Sequence, residues 1–136
     1  MKKHIEVVAA VIYRDGKYLA VQRGKAKYDY VSYKWEFPGG KVEPGESLES
    51  ALQRELKEEL KIEISGIKLL TTVKHEYPDF HITMHCFLCQ LKSSEITLIE
   101  HINLAWLTLK SISTIELADA DKKVIRILLT QTNIEQ

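Results

Sequence analysis

The sequence predicts an α+β fold: a mixed β-sheet with helices packed on its faces. Three patterns carry that expectation. Two β-rich runs flank an Asp-Gly turn near the start, two longer strand-like runs fill the middle, and helical periodicity appears after residue 47 and again near the end. Strands that precede and flank two helices suit a mixed sheet covered by those helices. A chain of 136 residues suits one core, so residues 1–136 are expected to form a single domain.

Each element has a local reason. Residues 4–13 and 17–23 are strand-like and joined by Arg14, Asp15, Gly16 and Lys17, a hairpin signal. Residues 24–33 are polar and aromatic and read as a loop. Lys34 to Phe37 then enters Pro38, and the residue before a proline favours extended geometry, so a short strand should end at Phe37. Gly39, Gly40, Pro44 and Gly45 predict a loop over 39–46. A helix is expected from Ser47 to Leu60, with Ser47 as N-cap and Glu49 favoured by the helix dipole. Strands follow near 64–76 and 80–91, turned by the segment from Glu76 to Phe80. A loop over 92–102 leads to the apolar run from Leu104 to Leu109, and a final amphipathic helix over 119–131 carries Val124, Ile127 and Leu128 at helical spacing.

Composition excludes some functions. Nineteen basic residues balance 19 acidic ones, which removes the electrostatic case for binding nucleic-acid polymers or membrane surfaces. No stretch approaches the roughly 20 apolar residues of a membrane span. Glu6 interrupts the first apolar run, against a secretory signal, and the cytoplasm is the default. Cys86 and Cys89 are spaced as C-x-x-C beside His85, but residues three apart on a strand face opposite ways, so inert thiols are expected rather than a metal or redox pair.

The informative feature is the charge on the first helix. At about 100° per residue, Leu48, Ala51, Leu52, Leu56 and Leu60 make the apolar side. Glu55 and Glu59 project within roughly 20° of Leu48, and Glu58 falls beside Ala51. Gln53, Arg54, Lys57 and Lys61 take the solvent side. Carboxylates beside a core are costly unless paired or coordinated, and close together they repel. A hard divalent cation, Mg²⁺ or Mn²⁺, resolves both problems and recruits phosphate oxygens. The bland alternative is a solvated, ion-paired helix. Gly39 and Gly40 weigh against it, because glycines let a backbone approach a ligand closely.

Residues 40–62 resemble the signature of the Nudix hydrolases, G-x5-E-x7-R-E-U-x-E-E-x-G-U with U aliphatic. Gly40, Glu46, Arg54, Glu55, Leu56, Glu58, Glu59 and Ile62 stand at the matching positions. Lys61 replaces the late glycine, at a cost of order 1 kcal/mol if it takes a left-handed conformation. Runs outside the signature, including the segments around Trp35 to Ser47 and Ala118 to Ile125, are similar to the MutT-type nucleoside triphosphate pyrophosphohydrolases and their CTP pyrophosphohydrolase relatives. The resemblance implies a Nudix-type α/β/α sandwich and an Mg²⁺- or Mn²⁺-dependent hydrolase acting on phosphoric anhydride bonds. It implies metal ligands at the Gly39 carbonyl, Glu55, Glu58, Glu59 and Glu100, with Glu55 or Glu100 as the base. Glu46 and Arg54 would orient Glu55, while Arg23, Glu36, Phe37, Gly40 and Asp121 would meet the substrate.

Blander readings stand beside these: Arg23 as a surface residue, Glu100 as a variable loop residue, Asp121 as a helix N-terminal residue. Tyr28, Tyr30, Tyr33 and Trp35 suit a stacked base or a core and rim role equally. An ionised Asp121 only accepts hydrogen bonds, which suits guanine and cytosine alike. The expected activity is therefore conversion of a (d)NTP to a (d)NMP and pyrophosphate, with sanitation of oxidised guanine nucleotides such as 8-oxo-dGTP first. Hydrolysis of CTP, dCTP or a modified pyrimidine nucleotide, and a non-catalytic nucleotide-binding domain, are the alternatives. The only expected partners are a nucleotide and the cation, with the chain a monomer or weak homodimer.

Overall fold

The computed structural model describes residues 2–135, and the side chains of residues 2–131. Ten elements follow in order: β1 (Lys3–Arg14), β2 (Lys17–Gln22), β3 (Trp35–Glu36), β4 (Gly39–Lys41), α1 (Leu48–Leu60), β5 (Ile64–Glu76), β6 (Phe80–Leu91), β7 (Asn103–Leu107), α2 (Leu109–Ile112) and α3 (Asp119–Glu135). The hairpin between β1 and β2 turns on Asp15 at φ 51° and Gly16 at φ 78°. Two consecutive positive φ values give the tight turn whose twist matches its strands.

β1 organises the sheet. One edge runs parallel to β6 from Lys3 opposite Phe80 to Ile12 opposite Cys89. The other edge is shared: β4 pairs antiparallel with Val7 to Ala9, and β2 takes over at Tyr13 and Arg14. The strand order is β3-β2-β1-β6-β5, with β7 added to β2. The sheet is mixed, as expected.

Alternation along β1 sends Ala9 and Val11 to one core and Val8, Ala10 and Ile12 to the other. The first core meets α3 through Val124, Ile125 and Leu128; the second meets α1 through Leu52, Leu56 and Leu60. Helices thus cover both faces, in the α/β/α sandwich. Cys86 joins the first core and Cys89 the second, so the two thiols lie on opposite faces. Burial pushes both up to about 12, which leaves them inert.

Two expectations need correction. The segment 39–46 is not all loop, because Gly39 to Lys41 are recruited as β4 by the free edge of β1. The short α2 was not foreseen; a single turn capped by Thr108 is too short to show helical periodicity. The first helix is as expected, with the Ser47 side chain accepting from the Ser50 N–H. Its exit is strained at Lys61, a left-handed residue at φ 58° whose N–H bonds Leu56 O and Lys57 O. No described helix is long and apolar enough to cross a membrane.

A lysine in that conformation bears a steric penalty that glycine escapes. Lys61→Gly is expected to stabilise the fold by up to about 1 kcal/mol, after allowing for the greater chain entropy of glycine. Thermal unfolding checks this, and a lower midpoint would show that the lysine side chain has a compensating contact.

Candidate active site

α1 is anchored through Ala51, Leu52, Leu56 and Leu60, all fully buried. That orientation carries its glutamates to the edge of the second core. Glu55 keeps only 12% of its side chain exposed, whereas Glu58 keeps 60%. Glu59 is half-buried, and its carboxyl is raised above the ordinary range by burial and by the charges of Glu55, Glu100 and Glu36.

Glu100 reaches this place through the backbone. The loop 92–102 is tied to the end of α1 by the Thr97 N–H on Leu60 O (2.9 Å) and the Ile99 N–H on Glu59 O (3.1 Å). At its other end the Ile102 N–H donates to Gln22 O of β2 (2.9 Å). The loop therefore bridges α1 and β2 and sets Glu100 and His101 on the wall of the cleft.

β4 forms the floor. The Ala10 N–H donates to the Pro38 carbonyl at 2.7 Å. Successive carbonyls alternate along a strand, so that of Gly39 turns away from β1. Gly39 and Gly40 are required for close approach, not for positive φ, which neither has. A Cβ on Gly40 would collide with the Glu55 carboxylate, and one on Gly39 with the Val8 carbonyl.

Arg54 departs from its expected place in solvent. Its long stem folds back, leaving the side chain 24% exposed. The guanidinium grips Glu46 in a fork (2.7 and 2.9 Å), the Lys41 carbonyl (3.0 Å), Glu55 (2.9 Å) and Glu58 (3.3 Å). Arg54 holds Glu46 down to about 2. One cation thus joins the loop before α1, β4 and two of the helix carboxylates.

The far wall holds the other group of residues. Arg23 lies just beyond β2, and its Nε donates to Glu36 Oε1 at 2.9 Å. Glu36 Oε2 accepts from His101 Nε2 at 3.0 Å. Beyond Glu36, an apolar pocket opens between the first core and β3, lined by Val31, Phe37, Tyr77, Phe80 and Met84. Asp121 is its buried polar side chain, accepting the Phe37 N–H on Oδ1 at 2.9 Å. Burial and the nearby Glu36 charge raise the Asp121 carboxyl above its ordinary range, and the Phe37 N–H and the Arg23 charge only partly offset them. Arg23, Glu36, Gly39, Gly40 and Lys41 line both the pocket and the acidic cleft, so the two adjoin along a shared wall.

Every residue named from the sequence as a candidate ligand, base or substrate contact lines the cleft or the pocket, except Glu46, which sits in the Arg54 ion-pair network on the rim. His101 and Tyr77 were missed. His101 follows Glu100 directly, but nothing in its spacing shows that it reaches Glu36 across the sheet. Tyr28 and Tyr30 stack on each other and continue through Tyr77 and Phe80, behind the pocket rather than in it (Tyr28–Tyr30 centroids 5.3 Å apart). Trp35 packs against the first core, and Tyr33 is exposed.

The donor set suits a hard divalent cation: carboxylate oxygens and one backbone carbonyl, with no sulfur and an excess of negative charge around Glu59. As placed, no three acidic or histidine side chains among the described residues close around a single point. Two of the candidates, Glu55 and Glu58, are turned toward Arg54.

The sequence matches the NUDIX domain over residues 2–128. It is 40% identical over 96 residues to an 8-oxo-dGTP diphosphatase of Proteus vulgaris, covering 71% of this chain and 85% of that protein. It is 41% identical over 119 residues to a CTP pyrophosphohydrolase of Escherichia coli (strain K12), covering 88% and 87%. Among solved structures, a MutT NUDIX hydrolase from Burkholderia pseudomallei superposes with a TM-score of 0.83 at 28% identity, covering 93% of this chain and 99% of that one.

The raised Asp121 carboxyl has a consequence for stability. The folded state binds its proton more tightly than the unfolded chain, so this contribution is present below the ordinary aspartate range and is lost as pH rises toward the folded value. Asp121→Asn still offers an oxygen to the Phe37 N–H but does not titrate. Its stability relative to the parent should rise steadily between about pH 4 and pH 8. Parallel stability curves for the two proteins over that interval would mean that Asp121 is ionised in the fold.

Proposed function

The chain belongs to the Nudix hydrolase family, and on that premise we propose that it is a divalent-metal-dependent nucleoside triphosphate pyrophosphohydrolase, converting a (d)NTP and water to a (d)NMP and pyrophosphate. One observation carries the reading: an acidic cleft, rimmed by an arginine, shares a wall with an apolar pocket that has one buried carboxyl. A triphosphate and its base need those two environments side by side.

Glu55, Glu58, Glu59, Glu100 and the Gly39 carbonyl would hold Mg²⁺ or Mn²⁺. When bound, such a cation neutralises phosphate charge and acidifies a coordinated water. The protein's own part is positioning and proton transfer. Glu55 or Glu100 takes the proton of the attacking water as the anhydride bond to the α-phosphate breaks and pyrophosphate leaves. Arg54, fixed by Glu46, orients Glu55 and is a positioning residue. Arg23 meets a phosphate by charge-assisted hydrogen bonds. Its Nε is engaged by Glu36, while its Nη groups make no hydrogen bond to the described residues.

The base is held in the apolar pocket between Phe37 and the Tyr77–Phe80 wall, with Asp121 as the reading group. Protonated, Asp121 offers one donor and keeps an acceptor oxygen. The O6 and N7–H of an oxidised guanine meet that pair, and so do the N3 and N4 amine of cytosine, so Asp121 does not separate the two bases. Likeness to relatives named 8-oxo-dGTP diphosphatase favours an oxidised guanine nucleotide, 8-oxo-dGTP, as the substrate. The alternative, CTP or dCTP, is favoured by the relative named a CTP pyrophosphohydrolase. The chain works as one domain, in the cytoplasm, as a monomer or weak homodimer.

A panel of nucleotides should release pyrophosphate and not phosphate, in the presence of Mg²⁺ or Mn²⁺ alone, with 8-oxo-dGTP ahead of CTP by kcat/KM. Release of inorganic phosphate, or turnover in excess chelator, would reject the reaction class. Glu59→Gln should lower kcat by at least about 10²-fold with the fold retained by circular dichroism, since it removes a ligand charge at the centre of the cluster. Turnover within a few-fold of the parent would remove Glu59 from the ligand set.

A further inference from the structure

We propose that His101 is a positioning residue for phosphate binding: it fixes Glu36, and through Glu36 it fixes the Arg23 guanidinium. The proposal rests on the reading of Arg23 as a phosphate-binding group.

The geometry is a chain of two hydrogen bonds on one carboxylate. His101 Nε2 lies 3.0 Å from Glu36 Oε2, and Arg23 Nε lies 2.9 Å from Glu36 Oε1. A carboxylate only accepts, so Nε2 carries a proton, and in the neutral ring Nδ1 carries the lone pair. The His101 side chain is 6% exposed, and its Nδ1 is buried with no hydrogen-bond partner among the described residues. An unsatisfied buried nitrogen costs free energy. A residue placed there only to fill space would be better as a leucine or phenylalanine, with nothing left unpaired. The ring is therefore held there for the Nε2 bond it makes.

Glu36 needs such a hold. Its charge acts on Glu59 on one side and on Asp121 on the other. A carboxylate anchored by Arg23 alone is free to turn about its own axis and to carry the guanidinium with it. The second hydrogen bond removes that freedom and leaves the Arg23 Nη fork pointing as the strand places it. The loop 92–102 supplies this bond and Glu100 from adjacent residues, with its backbone tied to α1 at Glu59 and to β2 at Gln22. One loop thus sets an acidic group in the cleft and aims the arginine opposite.

Steady-state kinetics of the full chain with a nucleoside triphosphate and Mg²⁺ test the proposal. His101→Ala should raise KM about tenfold with kcat within about twofold, the pattern of lost substrate binding rather than lost chemistry. His101→Gln, whose Nε2–H can reach Glu36, should restore most of the loss. Arg23→Ala should raise KM at least as much, and adding His101→Ala to it should change little, because both act through one group. Full additivity, or a fall in kcat at constant KM, would overturn the role of His101. A raised KM in Arg23→Ala with none in His101→Ala would overturn it too, and leave the reading of Arg23 intact. An unchanged KM in Arg23→Ala would sink that reading and this proposal together. Should the alanine variant fail to fold, ¹⁵N spectra of the parent protein still decide: the Nε2–H tautomer of His101 is required, and the Nδ1–H tautomer would overturn the proposal.

Discussion

The arrangement depends on carboxylates held beside buried leucines. α1 cannot turn its glutamates toward water without exposing Leu52, Leu56 and Leu60, which fill the core under β1. Burial of the helix face thus holds Glu55 and Glu59 near one another, against their mutual repulsion. Removing an isolated charge from water costs several kcal/mol, so such a cluster persists only with compensation. Arg54 supplies part of it, reaching Glu55 and Glu58 while anchored by Glu46. Glu59 has no such partner in the network and carries the raised carboxyl.

The two halves of the site belong to different layers of the sandwich. The acidic cleft lies on the α1 side, and the apolar pocket reaches toward α3 and Asp121. They adjoin where β1 changes partners: its edge is divided between β4 and β2, and the chain that leads from β2 into β4 carries Glu36, Phe37, Gly39 and Gly40. Glu36 stands at that junction, bonded to Arg23 and His101, and its charge is felt by both Glu59 and Asp121. A group in such a position couples the charge of the cleft to that of the pocket.

Much of this was legible in the sequence where the cause is local. Asp15-Gly16 specifies its turn because those residues accept positive φ, and Ser47 starts α1 because its hydroxyl caps a free N–H. The opposite facing of Cys86 and Cys89 follows from strand geometry alone. Helical spacing placed Glu55, Glu58 and Glu59 on one face, and the signature spacing marked Gly40, Glu46 and Arg54 as their companions. Arg54 was assigned to solvent by the same wheel and is not there, because a wheel describes Cβ directions and not the reach of a long side chain.

By itself, then, the sequence determined the elements other than β4 and α2, the family signature and the identity of the acidic residues, since propensity, capping and periodicity act over a few neighbours. Only the tertiary structure decided that Gly39 to Lys41 become a strand, that His101 reaches Glu36, and that Asp121 is buried with its carboxyl raised. Each of these depends on a free strand edge, a backbone tie or a loss of solvent contributed by residues distant in the chain. Such effects leave no local pattern, because the partner that creates them is absent from the window in which a pattern can be read.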